Sequence, residues 1–208
     1  MRSAPFRRRG RPPRSFTLTE LLVVIAIIGV LSALTLPSLR GLSGANNLTA
    51  GGNLVTDLLD RARMNAMTKE MPTAVVAVTQ FGADTNSNYR TIACFELNVA
   101  SNAWSQITRW RRLPNTVLFD PAETTAGTAS FFQTPTNSSF SPALTSLVLD
   151  GQPIGGFSYQ AFLPSGQLYG QSTPVELRLF DIHPSGGQTN SYTIVINQDT
   201  GRIKIERP

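Results

Sequence analysis

Apolar residues are distributed very unevenly along the chain. From Leu21 to Leu36 it reads LLVVIAIIGVLSALTL, with no charged residue. As a helix those 16 positions reach about 24 Å, while a bilayer core of about 30 Å needs roughly 20 residues. Phe16 to Leu18 at one end and Leu39 at the other supply the missing length, provided that Glu20 is tolerated. Gly41, Gly44, Gly51 and Gly52, with Asn46 and Asn47, weaken helix propensity after Pro37. The pattern then becomes amphipathic. Over Asn53–Glu70, Leu54/Val55, Leu58/Leu59, Ala62 and Ala66 recur at helical spacing. Asp57, Asp60, Arg61, Arg63 and Lys69 fall largely off that stripe, and Pro72 bars further helix.

Strand patterns dominate from Thr73. Expected strands cover Ala74–Phe81, Tyr89–Val99, Ser105–Arg111, Thr116–Phe119, Ser146–Leu149, Phe157–Leu163, Val175–Asp181, Tyr192–Asn197 and Arg202–Glu206. Glu176-Leu177-Arg178-Leu179 alternates clearly, and Asp199-Thr200-Gly201 is a turn joining the last two strands into a hairpin. Pro121–Pro142, rich in Thr, Ser, Asn and Pro, reads as a loop and a mobile insert. One long helix followed by a meander of strands predicts an α+β fold, its N-terminal helix first transmembrane and then amphipathic, packed on an antiparallel β-sheet. The expected divisions are 1–15, a basic leader; 16–39, the membrane helix; 40–72, the amphipathic segment; and 73–208, the β-rich domain.

Charge changes the picture at one end only. The chain has 18 basic and 13 acidic residues, a formal +5. Six of the basic ones, Arg2, Arg7, Arg8, Arg9, Arg11 and Arg14, precede Phe16, where there is no acid. The remainder holds 12 basic against 13 acidic side chains, a formal −1. Arginines beside a first membrane helix stay in the cytoplasm, which places the rest of the chain outside. A secretory signal peptide should end in small residues at −3 and −1, and Leu31-Ser32-Ala33 or Val30-Leu31-Ser32 fit that poorly. Twin-arginine export fits no better, because Gly10-Arg11-Pro12 follows Arg8-Arg9. Glu20 is either a carboxylate reaching back to the headgroups or the partner of a nearby positive charge such as an N-terminal amine. Its own position leaves both readings open.

Ser15-Phe16-Thr17-Leu18-Thr19-Glu20-Leu21-Leu22 resembles the type III signal of type IV prepilins and type II secretion pseudopilins. In that family a peptidase cuts on the cytoplasmic side of the apolar run, after a residue that is usually glycine; Ser15 stands there in this chain. The resemblance implies cleavage between Ser15 and Phe16, N-methylation of Phe16, and assembly roles for Glu20 and Pro37, which stand at the family's spacings from Phe16. It also implies a bacterial inner-membrane protein, single-pass, with the N-terminus cytoplasmic and the C-terminal domain extracytoplasmic. Its expected partners are the prepilin peptidase/N-methyltransferase, other pilin-like subunits and the membrane. The Phe16 ammonium would meet Glu20 of a neighbouring subunit in an apolar filament core. Pro37 either bends a continuing helix or marks the end of the span. Leu58–Ala66, Arg112-Leu113-Pro114, Phe162–Gly166 and Thr200–Lys204 are similar to the H-type minor pseudopilins and related minor pilins.

No catalytic constellation is present, and no cofactor is expected. Gly-x-Ser-x-Gly, His-Glu-x-x-His and P-loop patterns are all missing. The lone His183 precedes Pro184 and reads as an exposed loop side chain. The lone Cys94 permits no intrachain disulfide and reads as a small buried apolar group in a strand. Arg109, Arg111 and Arg112 near Trp104 and Trp110, together with Arg202, Lys204 and Arg207, form a candidate DNA contact. Charged edge strands kept from aggregating are the plainer reading. The sequence therefore favours a structural subunit of a type II secretion pseudopilus or type IV pilus-like filament, with no enzyme activity. The alternatives are a DNA-binding minor pilin, or a signal-anchored β-domain unrelated to filaments.

Overall fold

The computed structural model describes residues 17–82, 84–121, 125–132, 142–182 and 191–206, with backbone only at 33–45. The chain divides into two compact units between Arg40 and Gly41. One helix, α1 (Leu18–Lys69), contributes to both. It runs through Pro37 and all four glycines, so Pro37 does not end the helix and the expected weakening does not break it. In the first unit every described large apolar side chain is exposed, from 47% at Val24 to 81% at Leu18. Among the described residues no helix is long and apolar enough to cross a membrane. The described side chains of this run stop at Ser32, and Leu18–Ser32 reaches about 22 Å.

In the second unit the amphipathic stripe is the core. Val55, Leu59, Ala62 and Ala66 are fully buried, with Leu48 and Leu58 nearly so. They pack against strands of two sheets. The first sheet has the order β3 (Ala103–Gln106), β2 (Thr91–Asn98), β1 (Thr73–Gln80), β9 (Gly156–Phe162), with β4 (Arg111–Arg112) also on β2. The second has the order β12 (Ile203–Glu206), β11 (Ser191–Ile196), β10 (Val175–Asp181), β5 (Val117–Asp120), with β6 (Ala129–Ser130) parallel to β10. Every other pairing is antiparallel. A small hairpin of β7 (Val148–Leu149) and β8 (Gln152–Pro153) belongs to a segment covering the outer face of the first sheet. Leu144 and Leu147 lie there against Ala74, Val76, Phe95 and Tyr159.

Two glycines explain why α1 survives a sequence of low helix propensity. A Cβ at Gly51 would press on Val117, and one at Gly52 would overlap the Tyr192 ring. The bare backbone thus lets the helix lie directly on the second sheet. Helix propensity loses to packing here. The helix ends where Glu70 turns to φ 55°, a left-handed stop, two residues before Pro72. The Pro121–Pro142 loop also differs from expectation, because it carries β6 and buries Phe131. Its anchor is Glu176, whose carboxylate accepts from the Thr125 amide (2.7 Å) and the Thr128 hydroxyl (2.8 Å). Glu176 is consequently 97% buried, although strand alternation puts it on the polar face.

The end of α1 is tied to β2 by Glu96. Its Oε2 accepts from Asn65 Nδ2 (2.6 Å) and Lys69 Nζ (2.7 Å). Those bonds, Lys69's before Asn65's, hold the carboxyl below its ordinary value of 4.5. A depressed carboxylate stabilises the fold above its unfolded pKa and loses that contribution as pH falls through its folded value. Glu96→Gln should therefore cost about 1 kcal/mol at pH 7, and the difference from wild type should fade below about pH 4. Denaturant titrations of the mature chain in detergent across pH 3–7 check this; a constant difference would contradict it. Gly52→Ala should lower the thermal midpoint. Overpacking costs about 1–3 kcal/mol, against a propensity gain of about 1 kcal/mol, and a raised midpoint in circular dichroism melting would show that the Tyr192 contact has slack.

Candidate functional site

The first turn of α1 is the only place where the apolar run carries a charge, and its geometry is defined. Thr17 precedes the helix and Glu20 sits three residues on. Thr17 N donates to Glu20 Oε2 (3.0 Å), Thr17 Oγ1 donates to the same oxygen (2.9 Å), and Glu20 N donates to Thr17 Oγ1 (3.3 Å). This reciprocal pair is a capping box, and it satisfies donors that a helix start otherwise leaves open. The sequence reading singled out Glu20 but missed Thr17. The Thr-x-x-Glu spacing ahead of an apolar run was the available signal. Only one carboxylate oxygen is used, and Glu20 Oε1 has no partner among the described residues.

From this cap onward the helix is apolar on every side. Leu21, Leu22, Val23, Val24 and Ile25 occupy successive positions around the axis, and all are exposed. Such a surface needs other apolar material around it, whether lipid or neighbouring helices. Pro37 lies within α1 but its side chain is not described; Ser15, Phe16, His183 and Arg207 lie outside the described residues.

The residues of the candidate DNA contact are divided between the two sheets. Arg109, Arg111 and Arg112 are exposed on and beside β4 of the first sheet. Arg202 and Lys204 are exposed at β12, the edge of the second sheet opposite β5. Two of these cations already have acids: Arg112 pairs with Asp150 and Lys204 with Glu206, each at 2.7 Å. The tryptophans are engaged as well. Trp104 Nε1 donates to the Pro142 carbonyl and Trp110 Nε1 to that of Val148. Their rings pack against Tyr159 and Phe95. Both rings are half-buried and held in place by these contacts.

The remaining sequence motifs serve architecture. Arg63 Nε donates to the Thr200 carbonyl (2.9 Å), clasping the last hairpin to α1. Gly201, at φ 62°, abuts the Gly166 carbonyl so closely that a Cβ would overlap it. Leu58–Ala66, Phe162–Gly166 and Thr200–Lys204 therefore meet at one seam. Leu113 is buried beside Pro114, which touches Gly51. Cys94 is fully buried in β2 as expected, and burial pushes its thiol up to about 11. Among the described residues no group of three or more His, Cys, Asp and Glu is arranged to hold a metal.

Residues 11–36 match the family model of the prokaryotic N-terminal methylation motif. The span contains Ser15, Phe16, Thr17 and Glu20. No curated protein matches the chain. Among solved structures, the minor pseudopilin EpsH from the type 2 secretion system of Vibrio cholerae is similar at 12% identity, over 78% of this chain and 98% of that one, with a TM-score of 0.44. The type IV minor pilin FimU of Pseudomonas aeruginosa is similar at 13% identity, over 78% and 90%, also with a TM-score of 0.44.

Proposed function

We propose that this chain is a prepilin-type subunit, cut between Ser15 and Phe16, methylated on Phe16 and assembled through α1 with other pilin-like subunits. The product is a type II secretion pseudopilus or a type IV pilus-like filament. The observation that carries this reading is a helix start matching the methylation motif, capped by Thr17 and Glu20, and followed by a surface apolar all round. Before assembly that surface belongs in the inner membrane. The apolar sequence continues beyond Ser32 through Ala33, Leu34 and Leu36, and with Phe16 and Leu39 it has the length for a span. The leader arginines hold the N-terminus in the cytoplasm, so the β-rich unit lies outside.

Glu20 connects insertion to assembly. Thr17 occupies Oε2 and leaves Oε1 to receive the methylated ammonium of a neighbour's Phe16. The capping bonds fix the direction of that oxygen in advance, which lowers the ordering cost of each pairing. An ammonium without such a partner in an apolar filament core is strongly disfavoured. The pairing therefore sets axial register between subunits.

The reading predicts the mature N-terminus. Mass spectrometry of the protein from native membranes, in cells with a prepilin peptidase, should find N-methyl-Phe16 as the first residue. Ser15→Arg should leave the leader attached, and Ser15→Gly should preserve cleavage. A mature chain starting after Ala33, or an uncut chain in those cells, would instead support a signal-anchored β-domain.

A further inference from the structure

A second candidate site lies within the β-rich unit. A cavity of about 400 Å³ is lined by Asn86, Arg90, Arg112, Leu113 and Asn115. Among the described residues nothing acidic lines it. Arg90 is fixed by its Nη2, which donates to the Pro114 carbonyl (2.9 Å) and to Asn115 Oδ1 (3.2 Å). With that oxygen occupied, Asn115 has its amide nitrogen left to donate. Arg112 spends one nitrogen on Asp150, and both members of this pair are more than half exposed. The cavity is thus lined by two arginines and by the carboxamides of Asn86 and Asn115, and Arg90 Nε is buried with no hydrogen-bond partner among the described residues. The two arginines also work against each other: burial, and then the charge of Arg112, push Arg90 below its ordinary value. An anion between them would relieve both.

We propose that this cavity is a carboxylate-binding site. The surrounding charges select the class of anion. Asp84, held by Ser87 and the Asn86 amide, and Asp150, held by Arg112, balance the two arginines formally. A singly charged anion adds little repulsion against those two acids, whereas a doubly charged phosphate adds more. Guanidinium and carboxylate are also matched in plane and spacing. Leu113 in the lining suits a ligand that brings a short aliphatic stem behind its carboxylate. A small organic acid and a glutamate side chain presented by a protein both fit that description.

The test is the thermal midpoint of the mature full chain in detergent at pH 7 and constant ionic strength. Acetate at 100 mM should raise it by about 3 °C over chloride, the scale expected of a site with a Kd of about 20 mM. Arg112→Gln should reduce that gain below about 1 °C, a difference the same scale resolves. Asn115→Asp keeps an acceptor for Arg90 and supplies a resident carboxylate, so it should remove the acetate response without unfolding the protein. Equal stabilisation by acetate and chloride, a larger effect of phosphate than acetate, or an undiminished acetate response in Asn115→Asp would overturn the proposal. The source of the carboxylate is read by comparing acetylated, amidated Gly-Glu-Gly with its Gly-Gln-Gly counterpart. Stabilisation by the first beyond equimolar acetate assigns a protein side chain, and stabilisation equal to acetate assigns a small acid. Equal effects of the two peptides would contradict carboxylate recognition.

Discussion

The contact between α1 and the two sheets is what the β-rich unit depends on. Val55, Leu59, Ala62 and Ala66 are fully buried there, and burying each large apolar side chain stabilises by about 1.5–3 kcal/mol. Close approach is obtained with small residues. Gly51 and Gly52 admit Val117 and the Tyr192 ring, while Ala62 and Ala66 continue the flat stripe toward β1 and β2. Once the helix sits this near, the rest is constrained. The Arg63–Thr200 bond and the Gly166–Gly201 contact close the last hairpin over the helix, and Glu96 ties its end to β2. The outer face of the first sheet is then covered separately by the segment around β7 and β8.

The parts of this fold that depend on local periodicity were legible in the sequence. The stripe from Leu54 to Ala66 and the strands at Val175–Asp181 and Tyr192–Ile196 follow directly from apolar spacing. What failed required knowledge of partners distant in sequence. Gly51 and Gly52 read as weakening the helix because their neighbours, Val117 and Tyr192, lie far along the chain. Alternation with Leu177 and Leu179 puts Glu176 on the polar face, and the donors that bury it, Thr125 and Thr128, sit in a segment without strand character. β6 has two residues and no pattern of its own. Thr17 is the exception: the Thr-x-x-Glu pattern is local, and Glu20 combines a capping role with its charge. The arginines near Trp104 and Trp110 formed a plausible cluster in sequence, yet the two rings are tied down by Pro142 and Val148, and Arg202 and Lys204 belong to a different sheet.

Glu20 thus carries two separable functions in this account. As the third residue of a capping box it completes the helix start within its own chain. As a carboxylate it would supply, in the proposed assembly, the charge that a neighbour's Phe16 ammonium requires. Glutamine can serve the first function, because a capping box accepts either Glu or Gln at that position, but it cannot serve the second. Alanine serves neither. A protein that is merely anchored needs only the apolar run, and for it the loss of a charge from the span would be neutral or favourable to insertion.

Crosslinking of Glu20→Gln to co-expressed pilin-like subunits, measured beside carbonate-resistant membrane association, tests the central claim most directly. Removing one partner of a buried ion pair costs about 3–5 kcal/mol. The variant should therefore insert like wild type while its crosslinking falls by orders of magnitude, and Glu20→Ala should behave the same way. Wild-type crosslinking by Glu20→Gln would contradict an assembly role for the charge, leaving Glu20 as a helix cap alone.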